Sequence, residues 1–316
     1  MENPLLSIVV LSYRNTSLVL RRALRSIREQ TEKNLEVILV NANAKDDEYS
    51  VSLEEDVHLC DEFGAVSTSL GCPSRKDFAQ VINNGASYAK GKYITFLFAE
   101  SAIHPEFAAK CTRALEEHPE ADVAVCQAWG AFDDAFSNEF RSPPQGNSQG
   151  DVSLGEHYLG ESIYDPSQLV FRRDVFIRLG GFDQHVECLY DYDMWLRTVG
   201  VSGEKVVRLP DKLLCSYQPE SQSHTKRPSD KAIGYLQLYD KHKSYFKSNP
   251  DMKTELFGRV ESNYRKSKHF TEWLRYLFKY WLIRIRYSMS PRVRKAKKLH
   301  GQEKERKLFD SSGGRM

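Results

Sequence analysis

An α/β protein on a doubly wound sheet is the fold class that this sequence predicts, and three observations carry the prediction. Strand-sized and helix-sized patterns alternate between residues 5 and 128. The leading strand is apolar at successive positions, as a strand covered on both faces of a parallel sheet must be. Hydrophobic residues make up 41% and charged residues 28% of 316, which supplies a core for one large domain or two small ones and excludes wholesale disorder.

Leu6 to Leu11 is that leading strand. Thr16 or Ser17 is suited to cap a helix in which Leu20, Ala23, Leu24 and Ile27 recur at helical spacing. Leu35 to Val40 is a second strand. Phe78, Val81, Ile82, Ala86 and Ala89 line one face of another helix, with Gly91 placed to end it. Tyr93 to Phe98 is a strand, Pro105 opens the next helix at its first turn, and Ala121 to Gln127 is a strand again. Arg141 to Asp151 (RSPPQGNSQGD) reads as a loop between two halves. Beyond it come a strand near Gln168 to Phe171, a short helix from Asp174 to Leu179 and the Gly180-Gly181 break. A helix around Tyr192 to Val199 follows, then strands at Lys205 to Leu209 and Lys212 to Tyr217.

The total charge of +2 hides a segregation. Tyr264 to His300 carries twelve Lys or Arg against one acid, Glu272, a net +11 that leaves −9 elsewhere. Such a segment suggests an anionic surface as partner, membrane or nucleic acid. Apolar runs such as Ile8 to Leu11 fall far short of the ~20 residues that span a bilayer. Glu2, Asn3 and Pro4 replace the basic-then-apolar order of a signal peptide. The six cysteines, at 60, 72, 111, 126, 188 and 215, show no metal-ligand spacing and fit reduced thiols in a cytosolic protein.

No GxGxxG follows the first strand, and neither GxxxxGK[ST] nor GxSxG occurs, which argues against a dinucleotide-binding dehydrogenase, a P-loop NTPase and an α/β-hydrolase. A ligand must then be held by loops at the carboxyl ends of strands. Those loops are Ser12 to Asn15, Asn41 to Asp47 and Phe98 to Ser101, with the segment around Asp191.

Three stretches in this order, SIVVLSYRN, EQTEKNLEVILVNA and NNGASYAKGKYITFLFAESAIHPEF, resemble the inverting family 2 glycosyltransferases of GT-A fold. QLVFRRDVFIRLGGFDQHVECLYDYDMWLRTVG resembles the acceptor half of the same family. The resemblance covers roughly residues 5 to 225. It implies a GT-A domain over 1–240, with a nucleotide-binding half at about 1–140 and an acceptor half at about 151–228. A helical, basic, aromatic extension over 241–300 and a disordered tail over 301–316 would follow.

The resemblance also implies residue roles. Ser12 and Tyr13 match the strand end that touches the nucleobase, and Asn41 matches an aspartate that accepts from the uracil ring N–H. Arg75 lies in a loop that often lends a cation to the base or diphosphate. The family's metal motif, two aspartates separated by one residue, falls on Phe98-Ala99-Glu100, so the motif is degenerate and Glu100 alone keeps a carboxylate. A divalent ion, Mn²⁺ or Mg²⁺, is implied, with His224 in a loop that completes the metal shell in several relatives, and Lys226 and Arg227 beside it. Asp191 matches the catalytic base and Tyr190 replaces the glutamate before it. For each position the plainer readings stand alongside: ordinary loop residues, a metal-free carboxylate at Glu100, a helix N-cap at Asp191, a surface histidine at 224.

The expected activity is transfer of a sugar, with inversion, from a nucleoside diphosphate donor (UDP above other carriers) to a glycan or lipid-linked acceptor. The alternative is a catalytically inactive GT-A domain that binds or scaffolds, favoured by Ala42, Phe98 and Tyr190. On a helical wheel Phe270, Trp273, Leu274, Leu277, Phe278, Trp281 and Ile285 share a face, with Glu272, Arg275, Lys279 and Arg286 opposite and Arg284 interrupting. That pattern fits a helix lying on an anionic membrane through residues 264–300, hence a cytoplasmic protein peripheral to the inner face of the cell membrane. A helix packed on the protein with a solvated basic tail is the other reading. No nucleic-acid partner is expected, because no nucleic-acid motif accompanies the charge.

Overall fold

Complete burial of one strand organises the sheet. All seven residues of β1 (Leu6–Ser12) are buried, so apolar layers must cover both of its faces. In the computed structural model, which describes residues 3–43, 66–69, 78–131, 166–186, 188–201, 205–217 and 227–288, the further strands are β2 (Leu35–Asn41), β3 (Val66–Ser69), β4 (Tyr93–Phe98), β5 (Ser101–Ile103), β6 (Val123–Ala131), β7 (Leu169–Arg172) and β8 (Val206–Tyr217). The helices are α1 (Ser17–Arg28), α2 (Phe78–Ala86), α3 (Phe107–Glu117), α4 (Arg173–Arg178), α5 (Tyr190–Trp195), α6 (Pro228–Lys241), α7 (Lys243–Ser248), α8 (Pro250–Lys266) and α9 (Phe270–Ser288). The chain divides into two units, Met1–Thr225 and Lys226–Met316.

The first unit holds one eight-stranded sheet in the order β3-β2-β1-β4-β7-β6-β8-β5. The first four strands are parallel, whereas β7 runs antiparallel to β4 and to β6, and β5 runs antiparallel to β8. One face buries Ile8 and Val10 with Leu20, Leu24 and Ile27 of α1 and with Phe107 and Leu115 of α3. The other buries Val9 and Leu11 with Val81 and Ile82 of α2, Phe176 of α4, and Met194 and Trp195 of α5. Helices therefore cover both faces, and the mixed, doubly wound arrangement expected from the sequence is present. A Cβ at Gly85 would meet Val40 Cγ2 at 2.4 Å, so the lack of a side chain lets α2 lie close to the sheet.

Four elements differ locally from the sequence reading, each for a physical reason. Gly91 does not end a helix, since α2 stops at Ala86. It sits where its backbone crosses β1, and a Cβ there would come within 2.7 Å of Ser7 N and 2.8 Å of Tyr93 O. Its N–H donates to Ser7 Oγ (2.8 Å) and to Glu36 Oε1 (3.0 Å). Thr16 occupies the N-cap position of α1, but its side chain makes no capping hydrogen bond.

Pro105 precedes α3 rather than opening it, and the cap comes from far along the chain: Gln30 Oε1 accepts the Ala108 N–H at 2.9 Å. Gln30 Nε2 also donates to Ser26 O and His104 O, so this buried amide is well satisfied. Burial holds His104 below the ordinary histidine value, and its Nδ1 accepts the Glu106 N–H at 3.2 Å. The two strands expected after Lys205 are one, β8. Its register against β6 shifts between Val125↔Arg208 and Gln127↔Lys212, and Pro210 falls in that irregularity, where no ladder N–H is required of it.

The second unit is helical. Leu238, Phe246, Leu256, Phe257 and Val260 are buried, and Pro228 and Pro250 each open a helix in its first turn. Tyr264 and Tyr276 stack with ring centroids 5.3 Å apart, Lys279 Nζ lies 4.4 Å from the Phe257 ring centroid, and Trp273 Nε1 donates to Glu261 Oε1 at 2.6 Å. The helical wheel grouped Trp273 with Phe278 and set Lys279 opposite. In the structure Trp273, Tyr276 and Lys279 all engage α8, while Phe270, Leu274, Phe278, Trp281 and Ile285 of that face are exposed. The 301–316 tail and the Arg141 to Asp151 loop lie outside the described residues.

Cys111, Cys126, Cys188 and Cys215 are all buried. A hydrogen bond with Cys126 and then burial push the Cys111 thiol well above its ordinary value, which disfavours the reactive thiolate. Peptide-resolved alkylation of the native protein is expected to leave Cys111 unmodified until denaturant is added. Gly91→Ala is expected to cost about 1–3 kcal/mol through overpacking, read as a lower thermal midpoint with an unchanged far-ultraviolet spectrum.

Candidate active site

Parallel register sets two of the expected residues, Ser12 and Asn41, side by side, with Phe98 one position behind them on the next strand. Ser12 pairs with Asn41 across β1 and β2, and Leu11 pairs with Phe98 across β1 and β4. These positions lie at the carboxyl ends of adjacent strands. The order 3-2-1-4 reverses between β1 and β4, with α1 and α2 on opposite faces, which is where open α/β sheets carry their ligand crevice. Ser12 is fully buried, and its Oγ finds no hydrogen-bond partner among the described residues. A buried hydroxyl left unpaired costs roughly 1–3 kcal/mol, which a ligand supplying a partner would recover.

The loops beyond this row are held by asparagines. Asn41 Oδ1 accepts both the N–H and the side-chain Nδ2 of Asn43 at 3.0 Å. Asn43 Oδ1 in turn accepts the Arg14 N–H at 2.6 Å, and Asn15 Oδ1 accepts the Tyr13 N–H at 2.9 Å. Arg14 has φ +53°, and its guanidinium carbon lies 5.4 Å from the centroid of the Tyr13 ring. That ring meets Phe78 edge-on at 4.8 Å. A carbonyl oxygen has two lone pairs, and Asn43 uses both on Asn41, so a ring N–H reaches Asn41 only by displacing Asn43.

Glu100 follows in the turn between β4 and β5 and is half-buried. Its backbone carbonyl accepts from Nη2 of the buried Arg22 at 3.0 Å, which fixes the turn to α1. Phe98 packs against the apolar layer beneath the crevice, so the first carboxylate position of the metal motif has become part of the core. Among the described residues no three His, Cys, Asp or Glu side chains group to hold a metal. Arg75, His224 and Lys226 lie outside the described residues.

Asp191 sits second in α5, whose N-cap position is Leu189. The carboxylate is thus not the cap; Oδ1 accepts the neighbouring Tyr192 N–H at 2.9 Å, and the residue is half-exposed. The helix beneath it is strongly anchored. Asp193, with no exposure, pairs with Arg197 (Nε to Oδ2, 2.8 Å), and Arg197 donates to the carbonyls of Leu179 and Gly181. Asn83 of α2 completes the clamp, accepting the Phe182 N–H at 2.9 Å and donating to Phe182 O at 2.7 Å. Gly180 and Gly181, at φ +81° and +66°, make the tight turn that both side chains grip. Tyr190 is buried with its ring edge-on to Phe182 at 5.6 Å, a core contact where the resemblance expects a glutamate.

Sequence reasoning did not single out Arg22, Asn43 or Asn83, and it left Asp193 without a role. Asn43 carried the clearest signal, a side chain able to bond its own backbone just past a strand.

A mixed sheet that reverses its strand order at 3-2-1-4, with an anchored carboxylate-bearing helix beside it, defines an α/β protein whose ligand belongs at the carboxyl ends of the strands. Residues 7–180, over half the chain, match the family described as Glycosyl transferase family 2, and the chain belongs to that family. A protein from Rickettsia typhi named an uncharacterized glycosyltransferase is 26% identical over 239 residues, 75% of this chain and 70% of that one. Another from Haemophilus influenzae is 24% identical over 245 residues, 73% and 76% of the two chains.

The similar solved structures are GT-A glycosyltransferases. S. aureus TarS superposes with a TM-score of 0.63 at 14% identity over 92% of this chain, which spans 50% of that one. TarS 1–349 in complex with UDP-GlcNAc gives 0.59 at 14% identity, covering 88% and 81%. The mannosyltransferase PcManGT from Pyrobaculum calidifontis, in complex with GDP-Man and Mn²⁺, gives 0.55 at 15% identity, covering 85% and 74%. The fold is the GT-A fold.

Asp193→Asn leaves Arg197 buried without its counter-charge and is expected to destabilise the domain by about 3–5 kcal/mol. Chemical denaturation would read it as a lower midpoint. Asp191→Asn, which disturbs no buried pair, is expected to melt like the parent.

Proposed function

We propose that this glycosyltransferase moves a sugar from a UDP-sugar to a hydroxyl of a glycan or lipid-linked acceptor, with inversion at the anomeric carbon. The observation that carries the reading is the pairing of Ser12 with Asn41 at the carboxyl ends of β1 and β2, beside the β1–β4 reversal, with Phe98 one position behind on β4 and Glu100 two residues further along the chain. Ser12 and Tyr13 line the nucleoside side of the crevice. Asn41 contributes by ordering Asn43, and through it the backbone at Arg14.

Inverting transfer is one displacement. The acceptor oxygen bonds to the anomeric carbon as the bond from that carbon to the diphosphate oxygen breaks, and UDP leaves with the bonding pair. The acceptor's proton passes to the Asp191 carboxylate, whose position on an anchored helix keeps it from following the substrate. Glu100 offers one hard oxygen donor. That fits a Mn²⁺ or Mg²⁺ ion shared with the diphosphate rather than an ion held by the protein alone. When bound, such an ion neutralises charge on the departing diphosphate. Arg75 and His224 are the further groups proposed for that end of the donor.

Phe98 and Tyr190, both packed as core, favour a second reading, a GT-A domain that binds donor without turning it over. Donor hydrolysis separates the two, since an active transferase releases UDP slowly in the absence of acceptor whereas a binding module releases none. For the first reading, Asp191→Asn is expected to lower turnover at least ~100-fold with UDP affinity unchanged. Parent-like turnover in that variant would move the base elsewhere. Glu100→Ala is expected to abolish the Mn²⁺ dependence of UDP affinity in calorimetry. A parent protein that binds UDP equally with and without Mn²⁺ would instead mark a metal-free site.

A further inference from the structure

We infer that the outward stripe of α9 docks on an anionic lipid surface. Phe270, Leu274, Phe278, Trp281, Leu282 and Ile285 are each 41–67% exposed, and their spacing places them within about a third of the helix circumference. Isolated exposed apolar residues need no explanation, but a continuous stripe of six large ones does. The helix cannot roll to hide them. Its opposite side is pinned to α8 by the Trp273–Glu261 hydrogen bond, by the Tyr276–Tyr264 stack and by Lys279 over Phe257. Tyr280 adds a close approach, 3.2 Å from where a Cβ on Gly258 would stand.

Charge selects the occupant. Arg284 borders the stripe on one side, its guanidinium 5.5 Å from the Trp281 ring centroid, while Arg275 and Arg286 border it on the other. Arg292, Arg294, Lys295, Lys297 and Lys298 follow within ten residues of the helix end. Apolar side chains flanked by cations on long stems match the interface of an anionic bilayer, with rings at the acyl boundary and guanidinium groups among the headgroups. A second copy of this chain fits worse, because it would bring two segments of +11 together. Insertion across the bilayer is not implied: no described helix is long and apolar enough to cross a membrane.

Co-sedimentation of the full chain with vesicles tests the inference. Phosphatidylcholine vesicles are compared with mixed phosphatidylglycerol–phosphatidylcholine vesicles, at low and high salt. The expected result is at least about tenfold stronger binding to the anionic vesicles at low salt, weakened but not abolished at high salt. The double variant Phe278→Ser/Ile285→Ser is expected to lose about tenfold in anionic-vesicle binding at both salt levels, with an unchanged melting curve because both side chains face solvent. Arg275→Gln/Arg286→Gln is expected to lose binding at low salt only. Failure to bind anionic vesicles at low salt, or binding unaffected by the serine substitutions, overturns the inference. So does sedimentation equilibrium showing a dimer that the serine variant abolishes while vesicles are ignored, which would assign the stripe to a second copy.

Discussion

A carboxylate with no access to water is costly to bury unless it is paired and hydrogen-bonded, and Asp193 is paired with Arg197 at 2.8 Å. The pair does more than neutralise itself. Two of the guanidinium nitrogens remain for the carbonyls of Leu179 and Gly181, so the cation that stabilises Asp193 also closes the glycine turn. Asn83 grips the same turn from α2, a helix that lies close to the sheet because Gly85 has no side chain. Sheet, α2, glycine turn and α5 are thereby joined through two polar side chains, and Asp191 inherits its position from them. Remove the pairing and the half-exposed carboxylate loses its frame before it loses its chemistry.

Two aromatic residues stand where the family resemblance expects acids. Phe98 extends the apolar layer under the crevice, and Tyr190 lies edge-on to Phe182. Each sets an aromatic ring in packing contact at a position where that resemblance expects a negative charge.

Much of this was legible in the sequence wherever one short segment determined the outcome. Continuous burial of Leu6 to Leu11, the span of Tyr93 to Phe98 and the existence of each sheet-flanking helix were all readable, because hydrophobic period fixes them locally. The sheet's mixed direction came only through family resemblance, since no local pattern states which way β7 runs. Boundaries failed where distant residues decide. Gly91 reads as a helix stop until Ser7 is seen behind it, and Pro210 reads as a strand break until the irregular register of β6 absorbs it. The site divides in the same way. Asp191 and Glu100 stand out in the sequence through the family resemblance, whereas Arg22 and Asn83 act through backbone atoms far away in the chain and leave no signature of their own. On α9, spacing revealed the apolar face but not that Trp273 and Lys279 engage α8, because Lys279, although exposed, lays its ammonium over the Phe257 ring.

The buried amide of Gln30 bears on the order of assembly. It meets His104 and Ala108 across 74 and 78 residues of chain, so the first turn of α3 has no local substitute for the acceptor it receives. Closing a loop of that length carries an entropic cost before any contact rewards it. The start of α3 thus belongs to a late stage of folding, after β1 and β4 have paired and brought the two stretches together. A nascent chain that has emerged just past α1 holds Gln30 with no Ala108 amide to receive, and that side chain waits for sequence still to be made.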